Sequence, residues 1–277
     1  MRAAAHEQRV DDLVAGHLAR RSSGESHPVE DFLFTYYSYR PAALRRWHPG
    51  PGVLLRGGSP LARRRGYRTY PEGVSLDPDH VADRRDRVRW IRDLLAATAE
   101  RAPSFGCLGL HEWAMVYRTP PDDVRHASWP LRLGSAGTDE VVRSHRIRCT
   151  HFDAFRFFTD PARPRNSVQP TRERQAQQEQ PGCLHAGMDL YKWAYKLAPM
   201  TPSELVADCF ELARDIRMLD MRASPYDLRA LDYSPVRIET AAGKREYADA
   251  QREFTARAPP LRRRLVAVCD ALLEYAG

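Results

Sequence analysis

Lysine is almost missing from this 277-residue chain. Only Lys192, Lys196 and Lys244 stand among its 43 basic residues, and asparagine occurs once, as Asn166. Such usage marks a GC-rich coding sequence, which favours arginine and alanine codons, so arginine counted globally carries no functional information. Cysteine is sparse as well. Cys107, Cys149, Cys183, Cys209 and Cys269 are odd in number and widely spaced, which argues against a disulfide framework and fits a reducing, cytoplasmic setting. No run of about 18 apolar residues occurs, so no membrane span is expected. The opening MRAAAHEQRVDDL turns polar too early for a secretory leader. The glycine fingerprints of dinucleotide and P-loop folds are absent, as is the Gly-x-Ser-x-Gly elbow of serine hydrolases. No internal repeat argues for a solenoid.

What is present reads as helix. Val10, Leu13, Val14 and Leu18 place one apolar stripe on a helix over about 4–22, and SSGES breaks it. Pro28 at a first-turn position, with Glu30 and Asp31 behind it, opens a second helix whose FLFTYYSY body is apolar enough for the core. Val81, Val88, Ile91 and Leu95 predict a helix over about 79–101, and CLGLHEWAMVYR is ambiguous between helix and buried strand. PPDD (120–123) marks a loop. Helices are expected at 183–198 and 202–221, the second capped by Thr201-Pro202-Ser203-Glu204. A final pair, at about 241–257 and 260–276, is separated by Pro259-Pro260. The expected fold is mainly α: an N-terminal helix (1–26), then a single helical domain (27–277) with a small β element around 53–70 and 130–150.

Charge is uneven along the chain. Arg40, Arg45, Arg46, Arg56, Arg63, Arg64, Arg65 and Arg68 lie in a stretch without one acid. Those eight charges exceed the net +7 of the whole chain, so the remainder carries a net −1. Codon bias does not explain missing acids. With Trp47 and two glycine turns interleaved, the stretch fits a phosphate backbone, and DNA is the expected partner, against the plainer reading of a solvated loop.

Candidate chemistry clusters elsewhere. His185, Asp189, Lys192 and Lys196 fall on one helical face, a set suited to acid–base or nucleophilic work, against the plainer reading of an i,i+3 ion pair. Glu112 beside His111 and Asp153 near His151 extend the list of carboxylates. His111, His151 and His185 could alternatively hold zinc or iron with carboxylates drawn from Asp189, Asp208, Glu211 and Asp215, although the paired Glu-x-x-His of di-iron bundles is absent. The face bearing residues 208, 211 and 215 reads more simply as an acidic solvent face.

The strings HPVEDFLFTYYSYRPAALRRWHPGPGV, FGCLGLHEWAMVYR, PGCLHAGMDLYKWAYKLAP and ELARDIRMLDMRASPYDL resemble a bacterial family of high-GC genomes commonly labelled 3-methyladenine DNA glycosylase. The resemblance runs from about residue 27 to the end, and the helix-hairpin-helix of familiar alkylpurine glycosylases is absent from this chain. It implies a DNA-repair hydrolase with no cofactor, which flips a base out of the stack. On that reading Tyr36, Tyr37, Trp47 and Trp113 would stack on the cationic base. Asp189, with Glu112 or Asp153 in reserve, would stabilise the sugar cation, and Lys192 would be an optional nucleophile beside His185.

Overall fold

The computed structural model describes residues 1–120 and 129–275, so of the expected turn at 120–123 only Pro120 falls within the described residues. Among the described residues, twelve α-helices, short 3-10 turns and one two-stranded antiparallel sheet make up the regular structure, a mainly α fold as expected. The chain forms two compact units. The first comprises residues 1–97, 188–214 and 259–277, and the second residues 98–187 and 215–258. No helix among the described residues is long and apolar enough to cross a membrane.

In the first unit, α1 (Arg2–Ser23) buries Val10 and Val14 and ends at Gly24, whose left-handed backbone (φ 75°) returns its N–H to the last turn. The helix expected from Pro28 is cut back to α2 (Phe32–Tyr36). The Asp31 side chain accepts the His27 N–H at 2.8 Å, and this local bond holds residues 27–31 in turns. After α3 (Pro41–Arg45) come β1 (Tyr67–Tyr70) and β2 (Gly73–Leu76), with Tyr67 opposite Leu76. The hairpin therefore lies C-terminal to most of the stretch expected to be strand, and only Leu55 of that earlier part pairs, with Val74. The helix expected over 79–101 comes in two pieces, α4 (Pro78–Ala82) and α5 (Arg85–Ala99). At the break the Arg84 guanidinium takes the His80 carbonyl, and the Arg84 N–H turns to Val81 instead.

In the second unit the ambiguous segment at 107–118 yields one short helix, α6 (Leu110–Ala114). Most of the β element expected at 130–150 is helical. Thr138, Val141 and Val142 are buried at helical spacing in α7 (Gly134–Ser144), leaving isolated bridges at Leu131–Tyr226 and Ile147–Asn166. Two single-turn helices follow, α8 (Phe152–Phe155) and α9 (Gln175–Gln178).

Besides α5, whose last two residues belong to the second unit, three helices contribute residues to both units: α10 (Leu184–Lys196), α11 (Ser203–Arg222) and α12 (Ala241–Tyr275). The Thr201 cap expected for α11 does not form: the threonine is buried and its hydroxyl has no hydrogen-bond partner. Ser203 acts at that end instead, accepting the His48 N–H at 2.8 Å and donating to the Arg46 carbonyl at 2.9 Å. Pro259-Pro260 does not break α12, though the two units divide there. Buried Ala258, Arg262, Leu265, Cys269 and Leu272 form one stripe across the prolines, and packing along it outweighs the lost backbone bonds.

Two predictions follow from local packing. At the start of α12, Thr240 Oγ1 accepts the Gly243 N–H at 3.0 Å, and a Cβ on Gly243 would lie 2.0 Å from the Arg237 carbonyl oxygen. Gly243→Ala should therefore lower stability by about 1–3 kcal/mol in denaturant titration, although alanine is the better helix former. The buried His48 imidazole, bonded to the Tyr67 hydroxyl at 2.9 Å, is pushed down to about 4, by burial first and then by Arg46, His6 and Arg64. The unfolded chain takes up this proton from about pH 6.5 downward, so stability is full above that pH and falls by about 3 kcal/mol on the way to pH 4. In urea titrations, the gap between His48→Gln and the parent protein should narrow over that range.

Candidate metal centre

Charged and sulfur-bearing side chains fill the core of the second unit. Helix α6 is five residues long and entirely buried, so His111 and Glu112 have no route to solvent and must find partners inside. His111 does so on both ring nitrogens. Nε2 lies 3.0 Å from Asp220 Oδ1, and Nδ1 lies 3.4 Å from Cys107 Sγ. Glu112 receives Arg217 Nη1 at 2.8 Å, and the same guanidinium lies 3.5 Å from Asp220 Oδ2. Arg217 and Asp220 are three apart on α11, which sets both toward α6.

His185, in the first turn of α10, closes the group. Its ring packs edge-on against His111 with centroids 4.4 Å apart, and His151 stacks on it at 5.3 Å. One donor atom from each of His111, His185 and Asp220 can be chosen so that all lie within 4.8 Å of one another. Behind His151, Glu179 Oε2 is 3.4 Å from Nδ1 and accepts a hydrogen bond from Gln175 at 2.9 Å. The structure thus brings together all three histidines of the metal reading.

Electrostatics divide the two core imidazoles. Burial opposes charge on His111, but Asp220 and Cys107 outweigh it and raise its pKa well above the ordinary value. His111 in turn holds the Asp220 carboxyl well below the usual range against its own burial. His185 keeps a slightly exposed edge, yet its dense surroundings and the charge on His111 push it well below the ordinary value. The three groups are thus driven apart: His111 toward its charged form, His185 toward its neutral form and Asp220 toward its carboxylate. Cys107 is the acidic thiol nearby: the Cys149 thiol hydrogen-bonds to it and His111 stands beside it, which together outweigh burial.

The remaining expected site residues are dispersed. Asp189 and Lys192 form a buried ion pair in the first unit, where the Tyr37 hydroxyl also donates to Asp189 at 3.2 Å. This is the i,i+3 pair, though buried rather than solvated. Lys192 and Lys196 both lie against the Trp193 ring, at 4.3 and 5.5 Å. Trp113 is fully buried, gives its N–H to the Ala223 carbonyl and lies under Arg132, so it offers no face to a base. Tyr37 is buried too, while Tyr36 is half-buried and stacked on Phe32. Asp153 pairs with Arg156 at 3.3 Å. Asp208 and Glu211 pair with Arg9, and Asp215 with Arg257, the acidic face that their spacing gave.

In the basic stretch Arg45 pairs with Glu7 and Asp11, and Arg68 with Asp77 and Asp79. Trp47 gives its N–H to Glu204 at 3.0 Å. Arg40, Arg46, Arg56, Arg63, Arg64 and Arg65 remain exposed, with no ion pair among the described residues.

Asp220, Glu179, Cys107 and Arg217 were not singled out from the sequence as parts of this cluster. Asp220 did leave a trace. It continues the apolar stripe of α11 at i+4 from Ile216, and a carboxylate in a core register needs a buried partner. Comparison with family models, curated proteins and solved structures finds no match to the chain.

Removing one member of the inner ion pair should be costly. Arg217→Met would leave Glu112 buried with its principal cation gone, and an unfolding titration should read a loss of about 3–5 kcal/mol. The double variant Arg217→Met/Glu112→Gln should recover part of that loss.

Proposed function

We propose that this protein is a metal-dependent helical enzyme acting on a small molecule, with a centre held by His111, His185 and Asp220. One observation carries the reading: two imidazoles and a carboxylate, from three different helices, converge in a core that otherwise gives charge little reason to be there. Two histidines and one carboxylate form a facial donor set for iron(II), and equally three of the four ligands of a catalytic zinc, with positions left for water and substrate. A metal so bound supplies Lewis acidity and an activated water or oxygen species.

The protein's own groups fit around such a centre. Cys107 Sγ accepts from the second ring nitrogen of His111 and fixes the orientation of that ring. Arg217 and Glu112 hold Asp220 from behind and balance the charge of the core. His151 with Glu179 is a histidine–carboxylate pair stacked beside His185, placed to take or give a proton next to the donor set.

The glycosylase reading has less to stand on. Of its carboxylates, Asp189 is neutralised by Lys192 and Glu112 by Arg217, and the Trp113 face is covered.

Metal analysis of untagged protein tests the proposal. About one equivalent of zinc or iron per chain is expected, or uptake of that amount by stripped protein. Asp220→Asn and His185→Ala should each lower retention at least tenfold, and Asp189→Asn should leave it unchanged. Protein that keeps its fold but takes up neither metal overturns the reading. So does retention that is indifferent to both substitutions.

A further inference from the structure

The first unit carries a second feature, independent of the metal reading. The acid-free basic stretch does not spread evenly over the surface. Three of its unpaired arginines, Arg46, Arg56 and Arg64, line one cavity of about 600 Å³. Trp47, Leu55 and Leu61 supply apolar surface in the same cavity, and the turn through Gly58 and Ser59 forms part of its wall. Several arginines of this unit are engaged: Arg9, Arg20, Arg45, Arg68, Arg92 and Arg264 all hold carboxylates. Arg40, Arg63 and Arg65 of the same stretch also hold no acid among the described residues, and what sets Arg46, Arg56 and Arg64 apart is that all three line one hollow. Their field is felt nearby, since Arg46 and Arg64 both oppose a proton on buried His48.

We propose that this cavity binds a small phosphate-bearing molecule with a flat apolar portion, of the mononucleotide class. Guanidiniums are planar, permanently charged donors that match phosphate oxygens in pairs, and three of them suit a di- or triphosphate. Trp47 is half-buried and tethered by Glu204, so its ring position is fixed before a ligand arrives. Arg2 lies over one face of that indole, 5.4 Å from the ring centre, so an aromatic ring system or sugar face would rest on the cavity side of the ring and the neighbouring leucines. The volume lies within the range of small-molecule pockets. Glu7 lines the same cavity, held by Arg45, and this carboxylate stands against a long polyanion running straight through. These features favour a compact ligand over a nucleic-acid strand.

Calorimetry on the full chain at low and physiological salt tests the assignment, with ADP, inorganic pyrophosphate, adenosine and a single-stranded dodecanucleotide as probes. ADP should bind best, pyrophosphate more weakly and adenosine least. Arg56→Gln/Arg64→Gln should weaken ADP binding at least tenfold. The control Arg40→Gln/Arg65→Gln removes the same charge outside the cavity and should change ADP affinity less than twofold. All four positions are exposed, so both variants should keep the parent melting temperature, which separates loss of binding from loss of fold. His111→Ala should leave ADP binding unchanged, which keeps this test distinct from that of the metal centre. Equal weakening by both double variants overturns the proposal, because it would mean a diffuse field rather than a site. Absence of ADP binding at millimolar concentration also overturns it. Tighter binding of the dodecanucleotide, uncompeted by ADP, overturns it in favour of a nucleic-acid surface.

Discussion

Asp220 has no solvent-exposed surface, and the core of the second unit is arranged around satisfying it. A lone carboxylate in such a place would protonate or unfold its surroundings, because burial of an unpaired charge costs several kcal/mol. Here it remains ionised because His111 and Arg217 stand on it from α6 and from its own helix. Each partner creates a further demand. Arg217 needs a second carboxylate and finds Glu112, while His111 has a second nitrogen and finds Cys107. The short, wholly buried α6 is tenable because His111 and Glu112 both meet partners of opposite charge.

A core of well-packed apolar residues would usually be at least as stable as buried ion pairs. Keeping two imidazoles, two carboxylates and a guanidinium inside is easier to understand if the cluster has work to do. Its internal polarisation points the same way: one imidazole is driven toward the charged form and its neighbour toward the neutral one. Opposed environments on adjacent groups are a recurring property of sites that move protons or bind cations.

The first unit handles charge differently. Apart from buried Arg262, its arginines stay near the surface, and several are matched, including two of the acid-free stretch that draw acids from outside it, Arg45 from α1 and Arg68 from the start of α4. Three of the six unpaired arginines of that stretch, Arg46, Arg56 and Arg64, line a hollow with an indole in its wall. Codon bias explains the abundance of arginine, but it does not explain this distribution.

Helical periodicity was legible in the chain wherever a stripe was long enough: α1, α10 and α11 lie within two residues of the expected bounds. The acidic face of α11 was legible too, as was the i,i+3 relation of Asp189 and Lys192. Breakers were less informative. Pro259-Pro260 marks the division between units without ending α12, because burial on both sides favours one continuous helix, and Pro28 starts nothing until Asp31 has spent its side chain on a turn. His111, His151 and His185 could be named as a possible set, since histidines beside carboxylates are visible as residue types. Their meeting was not visible, because residues 111, 185 and 220 share no helix and no local spacing relates them. Tertiary packing alone decided which acid completed the group, choosing the buried Asp220 over the solvent-facing acids of the same helix.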